Sequence, residues 1–417
     1  MGEIFRSRNL RHLALIGFFF GFTEAMFSLR AAFLAANGLN PTQVGLVFSI
    51  TGIIGTIAPL LGGVLADRFF TRYKVFIASL FGFALTIGFM PLSAQVRIGS
   101  LILSMFLMPM LSFFHPMVSG MIQTCSINAT NGLEKVDYSY LRAFMSTGYI
   151  ISNLLCTPII SRYGINAPYY FVLIFFAVIF ALRRSLKENE TDRVQRRAVN
   201  KRNLRFSDIF RNYYVVSFIA ITIFYSGAGV CAGYISYMIE YNGLDVSKLT
   251  LVSGLKVIGE VVVMLAFPLL RKRFSLSGLQ ILSGSFLLLE LLLMVHANTL
   301  GEMIFYEIIG GMGAGIALSS TAQYLRVLTP PGLEATAASL WSAGTSLGGI
   351  ILPFIFGIVI DRLGVIACYR VGSIMMGVWV LFFIGTLLFG KYVLKKENVC
   401  PIFLADKNQT EMQRQKL

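Results

Sequence analysis

Apolar runs broken by glycine, proline, asparagine or charged residues occupy positions 13–36, 43–66, 75–95, 98–122, 139–160 and 168–183. A second set follows at 213–239, 249–270, 277–296, 300–326, 335–360 and 367–390. A hydrocarbon layer is crossed by about 20 apolar residues in helical conformation. The pattern therefore predicts an all-α membrane protein of twelve transmembrane helices in two six-helix halves. The predicted organisation is an N-terminal half at 1–183, a linker at 184–211, a C-terminal half at 212–390 and a tail at 391–417. The linker is polar and strongly basic, without hydrophobic periodicity until Phe206, as suits a segment lying against anionic headgroups. Ser207 and Asp208 ahead of the next apolar run read as a helix start. The first run extends from Leu13 to about Ala36 with no small-residue cleavage pattern, so it reads as a first span and not as a signal peptide.

Composition sharpens this picture. Of 417 residues, 56% are hydrophobic and 13% charged, and the mean hydropathy is +0.73. Soluble proteins carry about 25% charged residues, so a soluble enzyme with a single anchor is excluded. The net charge of +15 would raise the question of nucleic acid in a soluble chain. Its placement answers otherwise: 27 of the 35 Lys and Arg fall on alternate connections or the two tails, and only 5 on the opposite connections. By the positive-inside rule both termini are cytoplasmic, and the basic excess is topological. Cys125, Cys156, Cys231, Cys368 and Cys400 show no metal or redox spacing and read as small packing residues. No metal-ligand spacing, Ser/Lys dyad or Cys/His arrangement is found, so neither an enzyme nor a cofactor is expected.

The chain also repeats itself. A shift of 200 aligns residues 143–169 with 343–369 without gaps and matches ten positions, among them Ser146, Gly148, Arg162, Gly164 and Tyr169. A weaker shift of 204 pairs Ser49, Ile54, Gly55 and Phe70 with Ser253, Ile258, Gly259 and Phe274. Both shifts superpose the halves in the same orientation, the parallel-repeat pattern of carriers that bind near the bilayer midplane.

The stretch from Gly63 to Lys74, with Asp67, Arg68 and Arg72, resembles the loop signature of the major facilitator superfamily, though Phe70 stands where glycine is usual. The stretches from Asp137 to Tyr149 and from Ile258 to Phe274 resemble the nucleoside:proton symporters and, more distantly, the lactose permease group. The resemblance covers essentially the whole chain. It implies a monomeric carrier in the cell membrane whose loop residues Asp67, Arg68 and Arg72 form a conformational latch.

Seven charged residues within predicted spans are candidates for function: Glu24, Arg30, Arg142, Lys256, Glu260, Glu290 and Glu307. An ionised side chain at a helix centre costs about 2.5–3.5 kcal/mol even on the lenient insertion scale, so each needs a paired or wet location. Lys256 and Glu260, at i,i+4, share a helix face and read either as a local neutralising pair or as a working site. The resemblance places a substrate- and proton-binding glutamate at Glu260 and a cavity arginine at Arg142. Arg142 reads alternatively as a snorkelling arginine. Ser146 and Tyr149 lie on its face. Glu24 suits a binding or proton role, Arg30 an outer structural contact, and His115, between Pro109 and Pro116, a packing role.

Two departures bear on the solute. Glu290 reverses the basic residue common in the resembling families. Gly310, Gly311, Gly313 and Gly315 replace binding residues on the tenth span, with Glu307 one turn before them. Close helix packing explains such glycines better than a widened cavity, and Gly17/Gly21, Gly229/Gly233 and Gly344/Gly348 share the spacing. The expected function is proton-coupled symport of a small polar solute, a nucleoside or a sugar. The expected site comprises Glu24, Arg142, Ser146, Tyr149, Lys256, Glu260 and Glu307. The alternatives are an efflux antiporter for amphipathic compounds and a membrane sensor without transport.

Overall fold

Short polar residues set the helix starts. Asn40 accepts a hydrogen bond from the backbone of Gln43, whose side chain accepts from the backbone of Asn40, with Pro41 opening the helix. Thr299 and Glu302 form the same reciprocal box, and Thr71, Asn212 and Ser275 each cap a helix with one side-chain acceptor. The computed structural model describes residues 7–65, 70–98, 101–130, 138–183, 206–329, 333–395, 402 and 404.

The first expected span is α1 (Arg8–Glu24), a 3-10 turn (Ala25–Phe27) and α2 (Arg30–Ala36). There follow α3 (Pro41–Val64), α4 (Arg72–Ser93), α5 (Ser104–Thr130) and α6 (Tyr138–Tyr163). The sixth expected span is the shorter pair α7 (Ala167–Phe171) and α8 (Leu173–Leu182). The seventh is α9 (Tyr213–Ala220), α10 (Thr222–Gly233) and α11 (Ile235–Tyr241). The remainder are α12 (Lys248–Arg273), α13 (Leu276–Met294), α14 (Leu300–Leu328), α15 (Glu334–Leu363) and α16 (Val365–Tyr392). Among the described residues eleven helical segments are long and apolar enough to cross a membrane, and Ala167–Leu182 is a shorter apolar stretch. A two-stranded ribbon, Arg97–Ile98 with Leu101–Ile102, connects α4 to α5.

The described residues form two compact units. One takes its residues from Met1–Asn200, Ile235–Gly254 and Pro353–Asp361, the other from Lys201–Tyr234, Leu255–Leu352 and Arg362–Leu417. In the first, α1 packs on α6 and α8, and α3 and α4 pack on α5. The stretches 235–254 and 353–361 join this unit through identifiable contacts. Thr157 and Thr250 hydroxyls lie 2.8 Å apart, the Asp361 carboxylate accepts from the Thr42 backbone at 2.9 Å, and Gly357 lies against the Pro41 carbonyl. In the second unit α13 packs on α14 and α16, and α10 on α16. Both tryptophans, Trp341 and Trp379, sit there in an aromatic cluster around Phe218.

The internal repeat is visible in the backbone. Gly164 and Gly364 take φ of +80° and +83°, each in the turn that follows a span, and Tyr169 and Tyr369 are both fully buried. A Cβ on Gly148 would meet the Phe18 carbonyl, and one on Gly348 would meet Ser226, so the fifth and eleventh spans each press on the first span of their own half.

Some expectations fall differently. The run after Phe206 begins as a 3-10 turn (Phe206–Arg211), and the α-helix starts at Tyr213 behind Asn212, whose side chain accepts from Tyr214 at 3.0 Å. Linker residues 184–205 lie outside the described residues, as do Asp67 and Arg68 of the expected latch. Arg72 opens α4.

Candidate functional site

Two charged centres are built inside the spans, one in each unit. In the first, α1 ends at Glu24, where the 3-10 turn begins. Its carboxylate meets His115 Nε2 of α5 at 3.0 Å. The imidazole lies within a collar of phenylalanines, with ring centroids at 5.5 Å for Phe20, 4.5 Å for Phe27 and 5.7 Å for Phe83. His115 therefore pairs with an acid in an apolar surround, where the sequence pattern reads only a packing residue. A cavity of about 140 Å³ is lined by Glu24 together with Ser119, Gln123, Ser126, Arg142 and Met145. It brings a carboxylate, a guanidinium, an amide and two hydroxyls together from α1, α5 and α6. Arg142 is thus among the residues that line the cavity; its Nη1 lies 3.6 Å from Met145 Sδ.

Ser146 and Tyr149 stand one and two turns further along α6. Ser146 is buried, and the backbone of Tyr149 faces Gly21, where α1 crosses closely. Arg30 keeps its expected structural role: Nε donates to the Phe27 carbonyl at 3.0 Å, and the guanidinium covers the rings of Phe27 and Phe48 at 4.7 and 5.2 Å. Both are cation–π distances.

In the second unit, Lys256 of α12 reaches across to two other helices. Its Nζ lies 2.9 Å from Glu290 Oε1 on α13 and 2.6 Å from Glu307 Oε2 on α14. The lysine side chain is 22% exposed and the two carboxylates only 5% and 4%. The i,i+4 spacing does place Glu260 on the same face, half-buried, but the ammonium serves Glu290 and Glu307. Glu290, which the sequence shows only as a reversed charge, is thus a full member of the cluster.

The tenth-span glycines explain how the helices come so close. A Cβ on Gly311 would strike the Lys256 carbonyl, one on Gly315 the Glu260 backbone, and one on Gly310 the Glu290 carboxylate. Gly259, on α12, lies against the Ile308 carbonyl. These glycines serve packing and make room for the acid. Gly344 and Gly348 press likewise on Thr222 and Ser226, and Gly17 and Gly21 on α6, whereas Gly229 has open space beside it.

A helical bundle with parallel internal repeats and charged centres inside its spans defines a membrane transporter. The chain belongs to the MFS_1 like family, whose sequence model matches residues 12–371. It is 22% identical over 373 residues to the "Uncharacterized transporter YwbF" of Bacillus subtilis (strain 168), covering 87% of this chain and 90% of that one. Among solved structures, that of nucleoside transporter NupG superposes with a TM-score of 0.73 at 15% identity, over 93% of this chain and 100% of that one. That of a D-xylose-proton symporter gives 0.67 at 16% identity, over 89% and 95%. The fold is the major facilitator fold, and the protein is a multi-pass membrane transporter.

Proposed function

We propose that the protein is a monomeric secondary active transporter that takes up a small polar solute, a nucleoside or a sugar, by proton-coupled alternating access. The observation that carries this reading is the cavity beside Glu24, where Ser119, Gln123, Ser126 and Arg142 offer hydrogen-bonding groups among otherwise apolar helices. Hydroxyl-rich solutes suit a carboxylate and a guanidinium that line one cavity, because Arg forks to two oxygens while Glu accepts from two hydroxyls. The names of the similar structures, a nucleoside transporter and a D-xylose-proton symporter, favour the same solutes. Proton coupling draws support from the carboxylates held inside the spans, Glu24, Glu260, Glu290 and Glu307; intramembrane acids of this kind mark proton relays in carriers. The latch role of Asp67, Arg68 and Arg72 belongs to the same reading. The efflux alternative leaned on an apolar chain with 36 Phe and on a glycine-lined tenth span; the close approach of Gly310, Gly311 and Gly315 to Glu290, Lys256 and Glu260 weakens the second of these grounds.

The test is reconstitution in liposomes with a panel of labelled nucleosides and sugars, with and without an inside-alkaline gradient, and with lipophilic cations as a separate arm. Uphill accumulation of a nucleoside or sugar only when the gradient is present is expected. Expulsion of lipophilic cations, with no uptake of any polar solute, would overturn the reading.

A further inference from the structure

Resting on the transport reading, the charged cluster of the second unit bears on where the coupling ion binds. Two carboxylates, Glu290 and Glu307, share one ammonium, Lys256, so the cluster carries one negative charge too many when both are ionised. Each carboxylate spends one oxygen on Lys256. Among the described residues, Glu307 Oε1 is buried and has no hydrogen-bond partner, and the two carboxyl groups converge on the one Lys256 nitrogen. Gly310 holds the geometry, since any side chain there would strike the Glu290 carboxylate. Among the described residues, the other titratable groups that interact with the cluster are Cys231 on α10 and Cys368 and Tyr369 on α16, and Glu260 shares the Lys256 face of α12. None of these adds a second fixed positive charge.

We infer that Glu290 and Glu307 together hold one exchangeable proton, with Lys256 as the fixed counter-charge, and that this pair is the coupling-ion site. Like charges that converge on one ammonium resist joint ionisation, and the proton belongs to the pair, not to either residue. In the bound state one carboxyl is O–H, donating to the other's oxygen, and the cluster is neutral with Lys256. Release of the proton leaves both carboxylates on the ammonium and a net charge of minus one. That charge has to be wetted or neutralised again before the cluster is sealed from water. The cluster therefore permits reorientation when protonated and opposes it when not. Glu260, one turn from Lys256, is not the carrier in this scheme.

Purified protein supplies a test that needs no solute. Wild type, Glu290→Gln, Glu307→Gln and Glu307→Asp are titrated from about pH 5 to about pH 9 against an indicator dye. Wild type and Glu307→Asp are expected to bind one proton more than either glutamine variant. Equal counts for all four overturn the proposal, and so does a wild-type count that falls when sodium replaces choline, which would make the site a sodium site. In proteoliposomes, labelled uridine and D-xylose serve as probes. The glutamine variants are expected to keep counterflow exchange while losing the roughly tenfold accumulation that one pH unit supports for one proton per solute. Undiminished accumulation in both variants, or its loss in Glu260→Gln alone, overturns the assignment. Should wild-type vesicles move neither probe, the solute class of the transport reading fails, while the proton count still decides the site.

Discussion

At the residue scale, the chemistry depends on which partner each intramembrane charge finds. His115 and Glu24 are 91 positions apart, and nothing in their spacing announces a contact, yet they lie 3.0 Å from each other inside a phenylalanine collar. Replacing His115 by Phe takes this partner from the Glu24 carboxylate, which is 21% exposed and lines the cavity, so the loss is that of a net hydrogen bond, about 0.5–1.5 kcal/mol. The purified His115→Phe variant is accordingly expected to melt several degrees below wild type, with His115→Gln, which keeps a donor, in between; equal melting of all three would show that the pair contributes nothing to stability. The candidate charges of this site were legible in the sequence because every charge in an apolar run stands out. Their pairing was not: Lys256 has Glu260 one turn away on its own helix but spends its ammonium on Glu290 and Glu307, on helices 34 and 51 residues downstream. Local spacing reports only neighbours on one helix, and burial rewards whichever carboxylates can be reached by the shortest, driest path.

At the element scale, glycines decide how closely helices pass. Apolar side chains give no preference for a helix neighbour over lipid, so packing in the membrane rests on close backbone approach and interhelical hydrogen bonds. The second unit shows both: Gln280 donates to Ser320 at 2.8 Å and Ser283 to the Gly313 carbonyl at 2.8 Å, tying α13 to α14. The spacing of small residues foretold the contacts of Gly17, Gly21, Gly311, Gly315, Gly344 and Gly348, but Gly229 shares the spacing and faces open space. Gly148→Val and Gly311→Val are expected to lose monodisperse protein in fluorescence-detected size exclusion, since overpacking a tight site costs about 1–3 kcal/mol and here the obstacle is backbone. Gly229→Ala is expected to leave the elution profile unchanged; its collapse would contradict the open surroundings found there. Spacing alone cannot separate these glycines, because it says that a face is smooth and not whether a neighbour lies on it.

At the scale of the whole molecule, the distribution of basic residues orients the chain. Alkaline phosphatase fused after Gly164 or Gly243 is expected to be active and after Lys391 inactive, because these positions lie on connections of opposite basic content; the reverse pattern would overturn the orientation. The repeat at a shift of 200 reappears as paired turns at Gly164 and Gly364, whereas at the 204 shift Gly259 presses on the Ile308 carbonyl and Gly55 makes only an ordinary contact with Ser112. What the sequence determined by itself was the helical class, the approximate spans and the repeat. Hydrophobic length, charge placement and self-similarity act along the chain, and lipid leaves a span no choice but to satisfy its backbone as a helix. Only the tertiary structure decided that Ile235–Gly254 and Pro353–Asp361 join the first unit, that Glu24 answers to His115, and that Lys256 stands between Glu290 and Glu307. Those outcomes depend on which helix faces meet. That is set by glycine-lined backbone contacts between residues remote in sequence, and in so apolar a medium a charge takes the partner that these contacts bring within reach.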